Sequence, residues 1–91
     1  MKNNDFLKVL RNIDNNPNKS QRELAEGSGF SLGKFNYILN ALKKKGLIKF
    51  NNFKKNPKKI NYIYYLTPKG FTEKTKLTLR YLDRMSKEYE Q

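Results

Sequence analysis

Apolar positions along this chain keep a helical spacing as far as residue 46 and then switch to alternation, before a last helical stretch. Between Asp5 and Asn15 they fall at Phe6, Leu7, Val9, Leu10 and Ile13, the single stripe of an amphipathic helix. Asn15-Asn16-Pro17-Asn18 breaks that helix, because Pro17 disfavours helix at Asn16 and the asparagines suit a turn. Ser20-Gln21-Arg22-Glu23 reads as a capping box, with Ser20 as N-cap and Glu23 reaching back to the cap's N–H. A short helix follows with Leu24 and Ala25 inward. Gly27-Ser28-Gly29 ends it and Phe30 anchors the turn. The small Ala25 fits a close helix crossing.

The next stretch, Ser31 to Gly46, is the one the rest is organised around. Ser31 is an N-cap; Phe35, Ile38, Leu39 and Leu42 recur at i, i+3, i+4, i+7. Lys43 to Lys45 fill the last turn, where the helix dipole favours cations, and Gly46 is the expected stop. Short helix, glycine turn and capped second helix together make the helix-turn-helix pattern.

Beyond Gly46 the period falls to about two. Leu47, Ile48, Phe50 and Phe53 form one strand, and Ile60, Tyr62, Ile63, Tyr64 and Leu66 a second. Lys54-Lys55-Asn56-Pro57-Lys58-Lys59 lies between them as a basic turn, so the segment reads as a β-hairpin wing. Thr67 caps a last helix with Pro68 at its first position, where a missing N–H costs nothing, and it runs to near Gln91. The expected fold is mainly α with a small β-hairpin: a winged helix-turn-helix over residues 1–66, then a C-terminal dimerisation helix over 67–91 packed on the same unit.

Charge sharpens this reading. The 91 residues carry a formal net charge of +12. Residues 1–30 hold five Lys/Arg against four Asp/Glu, residues 71–91 five against four, and residues 31–70 ten Lys and no acid. A basic surplus confined to the middle of the chain is what a face for a polyanion looks like. With no Cys and no His, disulfides, thiolate zinc sites and the commonest general base are missing, and no cofactor or metal is expected. The acids are scattered over helix surfaces and no phosphate-cradling Gly loop follows a strand, so catalysis is not expected. No stretch approaches ~18 consecutive apolar residues and no signal peptide is visible, so the expected setting is cytoplasmic.

SQRELAEGSGFSLGKFNYILNALKKKGLIKF resembles the winged-helix core of MarR-type bacterial regulators. LTPKG followed by EKTKLTLRYL looks like the small MarR-like regulators associated with exopolysaccharide gene clusters. The resemblance covers roughly residues 5–90 and implies a transcriptional regulator that binds double-stranded DNA as a homodimer. Full-length MarR regulators have further dimerisation helices and often a small-ligand pocket near them. This chain has little material for such a pocket, so effector binding is not carried over.

The candidate DNA contacts are Gly33, Lys34, Asn36, Tyr37, Asn40 and Lys44 on the outer face of the second helix. Asn36 or Asn40 can pair with adenine, and Lys34 can reach guanine O6/N7 or a phosphate. Gln21 is a further candidate contact, and Ser20 and Ser31 lie at helix starts, where phosphate contact and simple capping are both open readings. Lys54, Lys55, Lys58 and Lys59 would hold the backbone through the wing, or merely keep its tip soluble. The run Tyr62, Tyr64, Tyr65 reads as strand alternation packed on helices, with base stacking as the rival. Phe71, Thr75, Thr78, Leu82, Met85 and Tyr89 step by four and three along the last helix, the a/d seam of a coiled-coil-like dimer contact. The alternatives are an RNA or non-specific nucleic-acid binder and a protein-interaction winged helix with an acidic partner.

Overall fold

The computed structural model describes residues 3–17, 19–56 and 59–90, with the side chains of 3, 52–62 and 90 outside the description. Four helices and one hairpin follow in order: α1 (Asn3–Asn15), α2 (Gln21–Ser28), α3 (Leu32–Lys44), β1 (Ile48–Asn56), β2 (Lys59–Leu66) and α4 (Pro68–Glu90). The expected winged-helix architecture is therefore the observed one.

Each helix start and stop has a local chemical cause. Ser20 Oγ accepts from the backbone N–H of Glu23 at 3.3 Å and donates to its Oε1 at 3.1 Å, so Glu23 answers the cap through its hydroxyl. Helix α2 ends within the expected Gly27-Ser28-Gly29, with Gly27 in its last turn and Gly29 as its cap, whose φ of 79° is the left-handed conformation that glycine adopts freely. Buried Ser28 ties down this end of the helix. Its hydroxyl donates to the carbonyl of Ala25 at 2.7 Å and accepts from the N–H of Phe30 at 3.1 Å. Ser31 Oγ accepts from the N–H of Lys34 at 3.1 Å and opens α3. At its other end Leu47 N–H reaches Leu42 O at 3.0 Å and Gly46 N–H reaches Lys43 O at 3.0 Å, the paired bonds of a Schellman stop around Gly46.

The core forms where the apolar stripes converge. Leu10, Ile13, Leu24, Phe35, Ile38, Leu39 and Leu42 are all but inaccessible, and Ile48, Tyr64 and Leu66 close the hairpin side. Asn12 of α1 donates to Leu24 O at 2.7 Å, fixing α1 across α2.

The hairpin is antiparallel, Ile48 facing Leu66 and Phe50 facing Tyr64. Its strands run further than expected. Lys54 pairs with Ile60 and Asn56 with Lys59, with an irregularity between Lys54 and Asn56. Lys54, Lys55 and Lys59 thus stand on strands instead of in the turn, because pairing with the β-rich Ile60–Leu66 segment outweighs the poor strand propensity of lysine and asparagine. Lys58 lies outside the described residues.

Thr67 joins three elements. Its N–H donates to Leu47 O at 3.0 Å, its hydroxyl donates to Gly46 O at 2.7 Å and accepts from the N–H of Gly70 at 3.0 Å. Helix α4 thereby starts against the end of α3. A Cβ on Gly70 would overlap the carbonyl oxygen of Leu47 and lie 3.0 Å from its carbonyl carbon. Backbone cannot swing aside, so Gly70→Ala is expected to lose about 1–3 kcal/mol of stability despite the ~1 kcal/mol that Ala adds in a helix. Urea unfolding checks it: an unchanged midpoint would mean that α4 is not seated on Leu47.

Candidate nucleic-acid interface

Helix α3 is split cleanly by burial. Phe35, Ile38, Leu39 and Leu42 are buried, while Gly33, Lys34, Asn36, Tyr37, Asn40 and Lys44 are exposed, with Tyr37 at 63%. The caps at both ends and the packing of the inner face hold this outer face rigid. Leu32, Asn36 and Asn40 succeed one another at i, i+4, i+8 and so form one stripe along it. Asn40 makes no side-chain hydrogen bond among the described residues, and its amide keeps both a donor and an acceptor end.

Asn36 is differently placed. Its Oδ1 accepts from Gln21 Nε2 at 3.0 Å, and Gln21 Oε1 accepts from the phenol of Tyr64 at 3.0 Å. Gln21, the first residue of α2, thus sits between the wing and α3 as well as beside the Ser20 cap. Lys34 leans to the other side. Its ammonium is 3.4 Å from Asp5 and 4.6 Å from the centre of the Phe30 ring, which Lys8 also covers at 4.9 Å. With Lys34 about half exposed, such a pair is worth under ~1 kcal/mol, so a phosphate competes for that amine at little cost. Lys44 is exposed at the end of the same helix, and Lys43 stands over Phe50 of the wing at 4.8 Å. The structure places Lys54, Lys55 and Lys59 on the hairpin beyond these groups by backbone alone. Tyr64 is buried and Tyr65 is 40% exposed, so alternation holds there; Tyr62's side chain lies outside the described residues.

The family model described as winged helix-turn-helix DNA-binding matches residues 7–49, from α1 to the start of β1. Among solved structures, a MarR family transcription regulator superposes with a TM-score of 0.78 at 17% identity, covering 94% of this chain and 56% of that one. The PcaV transcriptional regulator from Streptomyces coelicolor, solved with its natural ligand, gives 0.77 at 20% identity over 92% of this chain and 57% of that one. The transcriptional repressor CouR, bound to a 23-mer DNA duplex, gives 0.73 at 27% identity over 88% and 58%. The fold is that of the MarR family regulator. This chain spans less than two thirds of the length of each of those three proteins. No curated protein sequence matches it significantly.

On this MarR-type fold α4 shows two faces. One docks: Leu77 is buried, Lys74 pairs with Asp14, and Arg84 donates to Asn4 of α1 at 2.7 Å. The other holds most of the residues expected from the sequence to form a dimer seam. Phe71 is 48% exposed, Leu82 56% and Tyr89 85%; Thr75 is exposed, Thr78 and Met85 half-buried. The threonine hydroxyls bond within the helix, to Phe71 O and Lys74 O. No helix among the described residues is long and apolar enough to cross a membrane.

Two groups escaped sequence reasoning. Leu32, 49% exposed at the start of α3, suits a thymine methyl, and its i+4 spacing from Asn36 is the signal that would have found it. The link of Tyr64 to Asn36 had no such signal, because its partners are 43 and 15 residues apart.

Proposed function

We propose that this chain is a sequence-specific double-stranded DNA-binding transcriptional regulator acting as a homodimer through α4. The observation that carries it is the outer face of α3: amides, a phenol and two amines with no acid from residue 31 to 70, on a helix capped at both ends and buried behind. Amides and amines are the groups that pair with base edges and phosphates, and a helix of this kind fits the major groove. The wing lysines then hold the backbone, and the DNA-bound CouR of the same fold supports this arrangement. Regulation follows from occupancy: the bound dimer excludes or recruits polymerase. The resemblance of LTPKG and EKTKLTLRYL points to exopolysaccharide genes as the regulated set.

Titration with random duplex, promoter-derived duplex, structured RNA and heparin at two salt concentrations tests the reading. Promoter duplex should bind tightest; equal or tighter binding of RNA or heparin would overturn sequence-specific duplex recognition. Asn40→Ala should cost about 1–3 kcal/mol on the cognate site while binding to random duplex barely changes. Selection of bound sequences from a random pool supplies that site.

A further inference from the structure

Positive charge gathers at the turn that leads into α3, and part of it comes from α1. Lys8 belongs to a stretch where charges almost balance, five Lys/Arg against four Asp/Glu over residues 1–30. The fold carries its ammonium across to the α2–α3 turn, where a Cβ on Gly29 would lie 4.0 Å from it. It rests 4.9 Å from the centre of the half-buried Phe30 ring, and the ammonium of Lys34 rests 4.6 Å from the same centre. Two like charges from two helices thus converge on one side chain. An aromatic ring attracts a cation through its quadrupole but has no net charge to cancel it. Among the described residues Asp5 lies 3.4 Å from the Lys34 ammonium, and no carboxylate lies within ion-pair distance of Lys8. Both lysines are exposed, so the pair keeps a net positive charge at the surface.

We propose that Lys8 is a phosphate contact of the DNA interface, held beside Lys34 by the Phe30 ring. The inference rests on the reading of α3 as the helix that reads DNA, and it adds α1 to an interface made of α3 and the wing. An anion is the ligand that relieves the repulsion between the two ammonium groups. The place says which anion. In helix-turn-helix proteins the N-terminal part of the second helix enters the major groove. The turn just before it then comes to the rim of the groove, where the phosphates stand. Phe30 prepares the contact: a side chain already resting on a ring loses less freedom when the phosphate arrives than one waving in solvent. Such a contact positions the protein and reads no base.

Binding of a random-sequence duplex across a salt series tests this. The native chain is compared with Lys8→Gln, Lys8→Arg and the variant in which the four wing lysines are neutralised. Lys8→Gln should flatten the slope of log K against log[salt] by about 0.9, the share of one phosphate. That is a loss of about eightfold at ~0.1 M salt, measured against the difference left at 1 M. Lys8→Arg keeps the charge and the ring contact and should keep the slope. Added to the wing variant, Lys8→Gln should take off the same increment again, because separate contacts add. The side chain is exposed, so Lys8→Gln should stay folded, and thermal unfolding checks that. A folded Lys8→Gln with the native slope overturns the proposal, whether or not its melting temperature falls; Lys8 is then a structural partner of Phe30 alone. A slope in Lys8→Arg as flat as in Lys8→Gln overturns it as well. If the wing variant flattens the slope while Lys8→Gln does not, the reading of α3 and the wing stands without α1. A native chain that binds no duplex, or binds it independently of salt, takes that reading down together with the proposal.

Discussion

Leu82→Asp combined with Met85→Asp is expected to give folded monomers whose operator affinity falls by about 10²–10⁴-fold. The magnitude is that of losing the second of two linked binding events. Leu82 is 56% exposed and Met85 half-buried in the single chain, so the substitutions remove little from its own core. Their helix is held to α1 from another side, through buried Leu77, the Lys74–Asp14 pair and the bond from Arg84 to Asn4. What the carboxylates spoil is the apolar seam from Phe71 to Tyr89, which a second copy of α4 would cover. A symmetric pair sets two α3 helices for half-sites about one DNA turn, or a multiple of it, apart. Sedimentation at micromolar concentration, with and without DNA, checks the dimer, and circular dichroism checks the fold. A native chain that stays monomeric at every concentration and on DNA ends the dimer proposal.

Neutralising Lys54, Lys55, Lys58 and Lys59 together should weaken binding to every duplex alike, by an amount that grows as salt falls. Each phosphate contact contributes about 0.9 to the slope of log K against log[salt], so four contacts should flatten it by about 3.6. At ~0.1 M salt that corresponds to a loss on the order of 10³-fold relative to the native chain, if the contacts contribute little at 1 M. Base preference should survive, because phosphate contacts position the protein without reading sequence. Asn40→Ala should do the opposite, lowering preference with the slope intact. An unchanged slope in the lysine variant would mean that the wing does not contact phosphate.

Local chemistry made most of the fold legible. Ser20, Ser31 and Thr67 each cap the helix start they mark, since a side-chain oxygen two or three residues from an unpaired N–H needs nothing from the rest of the chain. Gly46 stops α3 for a similar reason: the left-handed turn is local, and glycine adopts it without strain. The stripe Phe35, Ile38, Leu39, Leu42 is buried as its spacing required, and the opposite face is exposed. The acid-free middle of the chain, read directly from composition, located the candidate interface. Strand ends were less legible, because cross-strand pairing carried Lys54, Asn56 and Lys59 into a ladder that their own propensities disfavour.

The sequence by itself determined which elements form, which helix faces turn inward and where the positive charge concentrates. Periodicity, caps and glycine stops act within a few residues, and charge is additive along the chain. Tertiary structure alone decided what each polar group on the outer face of α3 has left to offer. Lys34 and Asn36 look equally free in sequence, yet one is drawn to Asp5 and Phe30 and the other is oriented by Gln21 and Tyr64. Likewise only the docking of α4 showed that Leu77 is buried while Leu82 is left out, and only the seat at Leu47 explains Gly70. A hydrogen bond's direction and a helix's choice of buried face depend on partners tens of residues away, and no local pattern encodes which partner arrives.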